Sequence, residues 1–528
     1  MNTARLDAWQ RAQSALAQRN LPEAERQFEA VLQADPGHVQ ARVLIAGVLL
    51  ATGRLRQACA HLVHAANSLP NDAVTVCRVA QALLRVGESA AVRDCLSHPA
   101  IAQCRDGAAL ATFAHLHQSL GEHAKALDLM DRARALGYDN ADFRYFRSIQ
   151  LQFNGLLTEA EQELESCLRL GPTFGRASLT LARLRKQTPQ THHLDYINKQ
   201  LPRVQAGSED HAAFEFARYK ELEDLGEFDQ AWTALERANA IMHQRLKHDP
   251  LKEKALYDSL ATACDAAFLQ QSATVASDAE GPTPIFVIGL PRSGTTVLDR
   301  ILGNHSQVVS AGELGDFAHQ LRWSADVPGQ TLVDAAVIDR LPKLDFAEIG
   351  RRYLAQTGWR AMGHAYFVDK LPANFMIAGL IAKALPQAII LHLSRDPMDV
   401  CFSNYRALFG SSYPYSYNLQ TLAAHYGTYR RLMAHWHAAM SGRILDVDYQ
   451  ALVTAPEDSA RKILAFCGLA QEDHCIDLSR NKAPVSTLSS AQVREGIHAR
   501  GIAEWKRYER QLQPLREALD TVLATTAQ

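Results

Sequence analysis

Four glycines at a fixed interval constrain this 528-residue chain more than any other feature. Gly53, Gly87, Gly121 and Gly155 are each 34 residues apart. Five residues after them come Ala58, Val92, Ala126 and Ala160, and Ala24 falls in the same phase. Pro36, Pro70 and Pro172 lie twelve residues beyond Ala24, Ala58 and Ala160. Earlier in the unit, Ala12, Ala46, Ala80, Ala114, Ser148 and Ala182 repeat as well. The pattern predicts stacked pairs of antiparallel helices. Small side chains let the helices approach, glycine turns the chain between them, and proline ends the second helix. One pair cannot bury its apolar face alone, so successive pairs must stack.

A 34-residue period with these positions is similar to the tetratricopeptide repeat. After Leu184 the register slips through KQTPQTHHLDYINKQL. The turn returns at Leu225 to Ala231, with Gly226 standing 71 residues after Gly155, two periods plus three. About six helix pairs are expected, ending near residue 246. An α-solenoid over residues 1–246 has a concave face suited to a peptide or partner protein, or else serves as a spacer or dimerisation element. A helical bridge from Pro250 to about Leu269 and a small, polar, Pro-containing linker follow. Residues 247–283 therefore join the array to a second domain, 284–528.

That domain opens on PIFVIGLPRSGTT. Ile285 to Ile288 reads as a buried parallel strand, Gly289 to Gly294 as a turn, and the residues from Thr295 as a helix. Strand, glycine-bounded loop and helix converge backbone N–H groups on an anion. Gly289, four residues, Gly294, Thr295 and Thr296 fit the phosphate-loop spacing at every position except the lysine, which Thr295 replaces. A nucleotide triphosphatase uses that lysine on its phosphates. Its absence argues for a different ligand, with Arg292 as the loop's cation. Ser293, Gly294, Thr295 and Thr296 complete the cradle.

PRSGTT after an apolar strand resembles the 5′-phosphosulfate loop of sulfotransferases, and is most similar to the tyrosylprotein branch and its bacterial repeat-bearing relatives. The resemblance runs from about Pro284 to Pro514. It implies a three-layer α/β domain with a mostly parallel sheet and 3′-phosphoadenosine 5′-phosphosulfate (PAPS) as donor. Glu313, in Ala311-Gly312-Glu313-Leu314 after a second short strand, matches the family's general base on the acceptor hydroxyl; Asp316 is its local competitor and His392, inside an apolar strand, a weaker one. The family carries an arginine shortly after this glutamate, where this chain has Gly315-Asp316. Val368-Asp369-Lys370-Leu371-Pro372 resembles the step whose lysine contacts the bridging oxygen of the donor, so Lys370 takes that part. In Ser394-Arg395-Asp396-Pro397, Arg395 and the serine eight residues on, Ser403, match the pair that holds the 3′-phosphate. Tyr449, in an element similar to Y-E-x-L, lines the nucleotide site or is a buried structural tyrosine. Ser489 or Ser490 corresponds to the serine on the sulfate side.

The expected product is 3′-phosphoadenosine 5′-phosphate (PAP), with no metal required. The acceptor hydroxyl belongs to a tyrosine, a carbohydrate or a small molecule, with a protein partner on the repeat groove. Two rivals stand: an ATP-dependent phosphotransferase, and a repeat scaffold that only senses PAP or PAPS. A net charge of −2 gives no general drive toward nucleic acid, and no run of eighteen apolar residues marks a membrane span. Nine scattered cysteines without a C-x-x-C pair fit reduced thiols and a cytoplasmic location. His192, His193, His435 and His437 read as packing or surface histidines.

Overall fold

The computed structural model describes residues 3–270, 281–481 and 496–526. Its first part is a stack of helix pairs, beginning with Thr3–Ala17 against Leu21–Ala34 and Val39–Ala51 against Leu55–Ala66. The repeating glycines end first helices in the left-handed region, with φ +82° at Gly53 and +83° at Gly155. The repeating alanines sit at the helix contacts with essentially no exposure, as Ala46, Ala80 and Ala114 illustrate. Pro36 and Pro70 fall just past second helices that stop at Ala34 and Ala66. Beyond Gly175–Leu184 the second helix shrinks to Leu194–Gln200, which is the register slip. A full pair then resumes with Glu209–Asp224 and Phe228–Leu246.

The second part is built on a five-stranded, all-parallel sheet: β1 (Thr283–Gly289), β2 (Val308–Ser310), β3 (Tyr366–Asp369), β4 (Ile389–Ser394) and β5 (Ile444–Asp448). Its order is β2-β3-β1-β4-β5. Register pairs Ile285 with Val368 on one side of β1 and Val287 with Leu391 on the other. Strand alternation splits the core. Ile285 and Val287 pack with Leu298, Ile301 and Ile463 on one face. Phe286 and Ile288 point to the other face, with Phe317, Tyr353 and Trp436.

That second core does not stop at the sheet. It continues through Leu179, Phe214, Trp232 and Leu235 of the last repeats. Trp232 stacks on Tyr405 at 5.9 Å, and Asn239 donates to the Tyr405 carbonyl at 3.0 Å. Earlier repeats hold on by polar contacts. Glu88 pairs with Arg352 at 2.6 Å and accepts from Gln356 at 2.8 Å. Ser89 donates to Asp316 at 2.6 Å. At Gly87 a Cβ would lie 2.3 Å from the His319 Cβ, so both the positive φ and the close approach require glycine.

Candidate active site

The strand order reverses around β1, and in such sheets ligands bind at the carboxyl ends beside the switch point. All five strands deliver a predicted residue to that edge. β1 runs into the glycine-bounded loop, β2 leads to Glu313, β3 ends one residue before Lys370, β4 one residue before Arg395, and β5 one residue before Tyr449. Arg292, Thr295, Thr296, Glu313, Arg395, Ser403 and Tyr449 line one cleft of about 2280 Å³.

The loop is shaped by three left-handed residues, Gly289, Arg292 and Gly294, at φ +144°, +66° and +107°. A Cβ on Gly289 would meet the Leu393 carbonyl oxygen at 2.6 Å, and one on Gly294 the Tyr449 ring at 2.4 Å. Tyr449 therefore braces the loop with its ring. The Arg395 guanidinium lies 4.5 Å from that ring's centre and donates to the Arg292 carbonyl at 2.8 Å and to Gly501. Ser403 accepts from Arg292 Nε at 3.4 Å. Ser293 is 1% exposed, and among the described residues neither its Oγ nor Arg395 Nε has a hydrogen-bond partner. Buried polar atoms are rarely left unpaired, so these two are donors that an acceptor entering the cradle can complete.

In the same cleft Glu313 pairs with Lys370 behind it at 2.5 Å, the ammonium 2% exposed and the carboxylate 40%. The Glu313 turn is clamped from β3. Lys370 N–H donates to the Gly312 carbonyl at 2.8 Å, and the Leu314 N–H donates to Asp369 at 3.4 Å. Asp316, the local competitor for the base, is instead buried and bound to Ser89 of the repeats. His392 sits between Asp446, at 2.6 Å, and Tyr429. His437 also reaches Asp446, at 3.1 Å, so these histidines form a hydrogen-bonded group.

Burial pushes the Arg292 pKa down to about 9, with the cations Arg406, Arg183 and Arg395 adding to it. Burial also lowers the Arg395 pKa. Burial acts the same way on Arg406, but its Glu504 partner outweighs it and holds the guanidinium protonated. Among the described residues the cleft carries more half-buried arginines, Arg183, Arg292, Arg395 and Arg406, than carboxylates paired with them, a field that attracts anions.

Three contributors were missing from the sequence reading. Glu504 and Arg406 are a long-range pair. Asp369 is fully buried beneath the Glu313 turn, and its carboxyl also accepts from Tyr353 at 2.9 Å. Burial pushes its pKa up to about 8. The signal for Asp369 was an acid on the inward side of an apolar strand. Ser489 and Ser490 lie outside the described residues.

Residues 284–473 match the model of the sulfotransferase family, and residues 15–74 that of the tetratricopeptide repeat. Residues 284–473 are thus a sulfotransferase-family segment. An uncharacterised protein of Aquifex aeolicus (strain VF5) is 32% identical over 320 residues, 58% of this chain and 41% of its own length. Nodulation protein NoeE of Sinorhizobium fredii (strain NBRC 101917 / NGR234) is 26% identical over 141 residues, 23% of this chain and 31% of its own. The chain thus matches less than half the length of either relative. Among solved structures, the sulfotransferase domain from the Synechococcus PCC 7002 olefin synthase is 20% identical, with a TM-score of 0.30, covering 48% of this chain and 97% of that domain. The sulfotransferase domain from the curacin biosynthetic pathway is 17% identical, with a TM-score of 0.34, covering 47% and 98%. In the sulfotransferase domain of this chain, the matched stretch contains the loop, Glu313, Lys370, Arg395, Ser403 and Tyr449.

Proposed function

We propose that the protein transfers a sulfuryl group from PAPS to an acceptor hydroxyl. The observation that carries this reading is that the lysine-free phosphate loop shares one cleft with Glu313, whose carboxylate is paired with the buried Lys370. The loop amides with Ser293, Thr295 and Thr296 hold the phosphosulfate side. Arg395, backed by Tyr449, and Ser403 hold the 3′-phosphate. PAPS supplies the activated sulfuryl group.

Glu313 takes the acceptor proton as the new O–S bond forms, and its partial exposure leaves it open to an incoming hydroxyl. The electron pair of the breaking S–O bond goes to the leaving phosphate. Lys370 and Arg292 stabilise that negative charge, Lys370 as a compact point charge released from Glu313 once the base is protonated. No divalent ion is needed for this charge pattern. Unlike metaphosphate, the transferred sulfuryl group is formally neutral, so the leaving oxygens need most of the stabilisation.

We assign residues 1–246 to the array, 247–283 to the bridge and 284–528 to the transferase. Tyr413, Tyr415 and Phe375 line the cleft with repeat residues Tyr145 and Phe153, which supports an acceptor taken up between the two halves, on a protein, peptide or other hydroxyl carrier. The nine cysteines, all unpaired and buried, support a reducing, cytoplasmic setting. No helix among the described residues is long and apolar enough to cross a membrane. Calorimetry with PAP and ATP, each with EDTA or Mg²⁺, tests the donor. Metal-independent PAP binding is expected; ATP binding that requires Mg²⁺ and exceeds PAP would favour a phosphotransferase.

A further inference from the structure

Resting on the PAPS reading, we infer that Arg183, from the repeat array, binds an oxyanion of the 3′-phosphoadenosine donor. Arg183 lies on Gly175–Leu184, outside both stretches that match family models. It lines the same cleft as Arg292, Arg395 and Ser403. Its one described hydrogen bond goes to the Arg406 carbonyl, at a long 3.4 Å. Among the described residues no carboxylate pairs with it, and Glu504, which lines the same cleft, is taken by Arg406. Burial lowers the Arg183 pKa to about 10, opposed in part by the Tyr219 and Tyr145 hydroxyls.

Arg183 is half-buried, and a guanidinium drawn partly out of water with no counter-charge among the described residues favours an anion that completes it. Its planar fork suits phosphate oxygens. The placement is fixed rather than incidental. Leu179 and Ala182, on the same helix, belong to the core that runs on into the sheet. The adjoining pair is locked to the Ser403 helix through Asn239 and Trp232, and Tyr508 donates to Glu223 at 3.3 Å. The last repeats and the donor loop are therefore one packed body, and the repeats supply part of the nucleotide site rather than standing apart from it.

The test is calorimetry of the full chain with PAP and with adenosine, metal-free, on wild type, Arg183→Gln and Arg183→Lys, with thermal unfolding of each. Arg183→Gln should weaken PAP about tenfold to a hundredfold, the usual effect of losing a charged hydrogen bond. Adenosine affinity and the unfolding midpoint should hold, and Arg183→Lys should recover part of the loss. Unchanged PAP affinity in Arg183→Gln overturns the inference. A loss shared by adenosine, or one that Lys does not relieve and that tracks a lowered midpoint, also overturns it by making Arg183 structural. Wild type that fails to bind PAP overturns the donor reading itself.

Discussion

Replacing Asp369 with Asn should make this protein's stability less sensitive to pH. Asp369 is fully buried beneath the Glu313 turn, and burial pushes its pKa from 3.8 to about 8. The folded protein therefore holds a proton that the unfolded chain releases between those values. Wild-type stability must fall as pH rises from about 4 to about 8, and level off above that, because unfolding releases the proton throughout the window. Each pH unit inside the window is worth about 1.4 kcal/mol, so pH 5 to pH 8 has a ceiling of about 4 kcal/mol from this one group. Relaxation and water entry reduce that to roughly 2–3 kcal/mol. Asn keeps the shape and an oxygen that can accept from Tyr353 or Leu314, but has no proton to lose. Urea unfolding of wild type and Asp369→Asn at pH 5 and pH 8, followed by tryptophan fluorescence, reads the difference. Asp369→Asn should gain on wild type by about that amount from pH 5 to pH 8. A gap that does not change with pH would show that Asp369 titrates as an ordinary carboxylate, and the reasoning from burial would be wrong.

Three further outcomes follow from the site. Arg395→Ala should weaken PAP by about 1.5–3 kcal/mol, the range for a charged hydrogen bond, and adenosine 5′-phosphosulfate far less; equal losses in calorimetry would move Arg395 off the 3′-phosphate. Gly294→Ala, which drives a methyl into the Tyr449 ring and strains a φ of +107°, should cost at least about 1–2 kcal/mol from backbone strain alone, read as lower PAP affinity. Tyr449→Ala should relieve only the steric part. A chain begun at Gly281 strips the last repeats from the shared core and should bind apolar dyes and aggregate; a monomeric, cooperatively unfolding product would contradict the continuity of that core.

Periodicity carried most of the fold. The 34-residue spacing of small residues encodes local helix packing, and the apolar run before Gly289 encodes a buried strand. Both are short-range physics that a linear chain displays. The N-cap acceptors His38, Asp72, Asp106 and Asn140 keep the same interval, but their mixed chemistry hides the repeat from a search for one residue type. The placement of candidate residues was legible where a strand end carries them, as with Lys370 and Arg395. It was hidden where the chain returns from afar. Arg183 reaches Arg406 across 223 positions, Ser89 takes Asp316 from 227 away, and Glu504 meets Arg406 from 98 away. Such pairs depend on how the repeats seat on the sheet domain, which no local pattern records. Asp369 fell between these cases: its strand was visible, but only burial under the Glu313 turn shows why an acid belongs there.

The central claim is that Glu313 is the base of a sulfuryl transfer across this cleft. The most direct measurement is transfer of labelled sulfate from PAPS to acceptors in a fractionated cell extract, by wild type and by Glu313→Gln, with PAP affinity measured on both. Gln keeps the size of the side chain and removes its ability to take a proton. Wild type should label an acceptor, and Glu313→Gln should do so at least about a hundredfold more slowly, the usual share of general-base catalysis, with PAP affinity nearly unchanged. Turnover that survives in Glu313→Gln, or PAP affinity that collapses with it, would contradict the account.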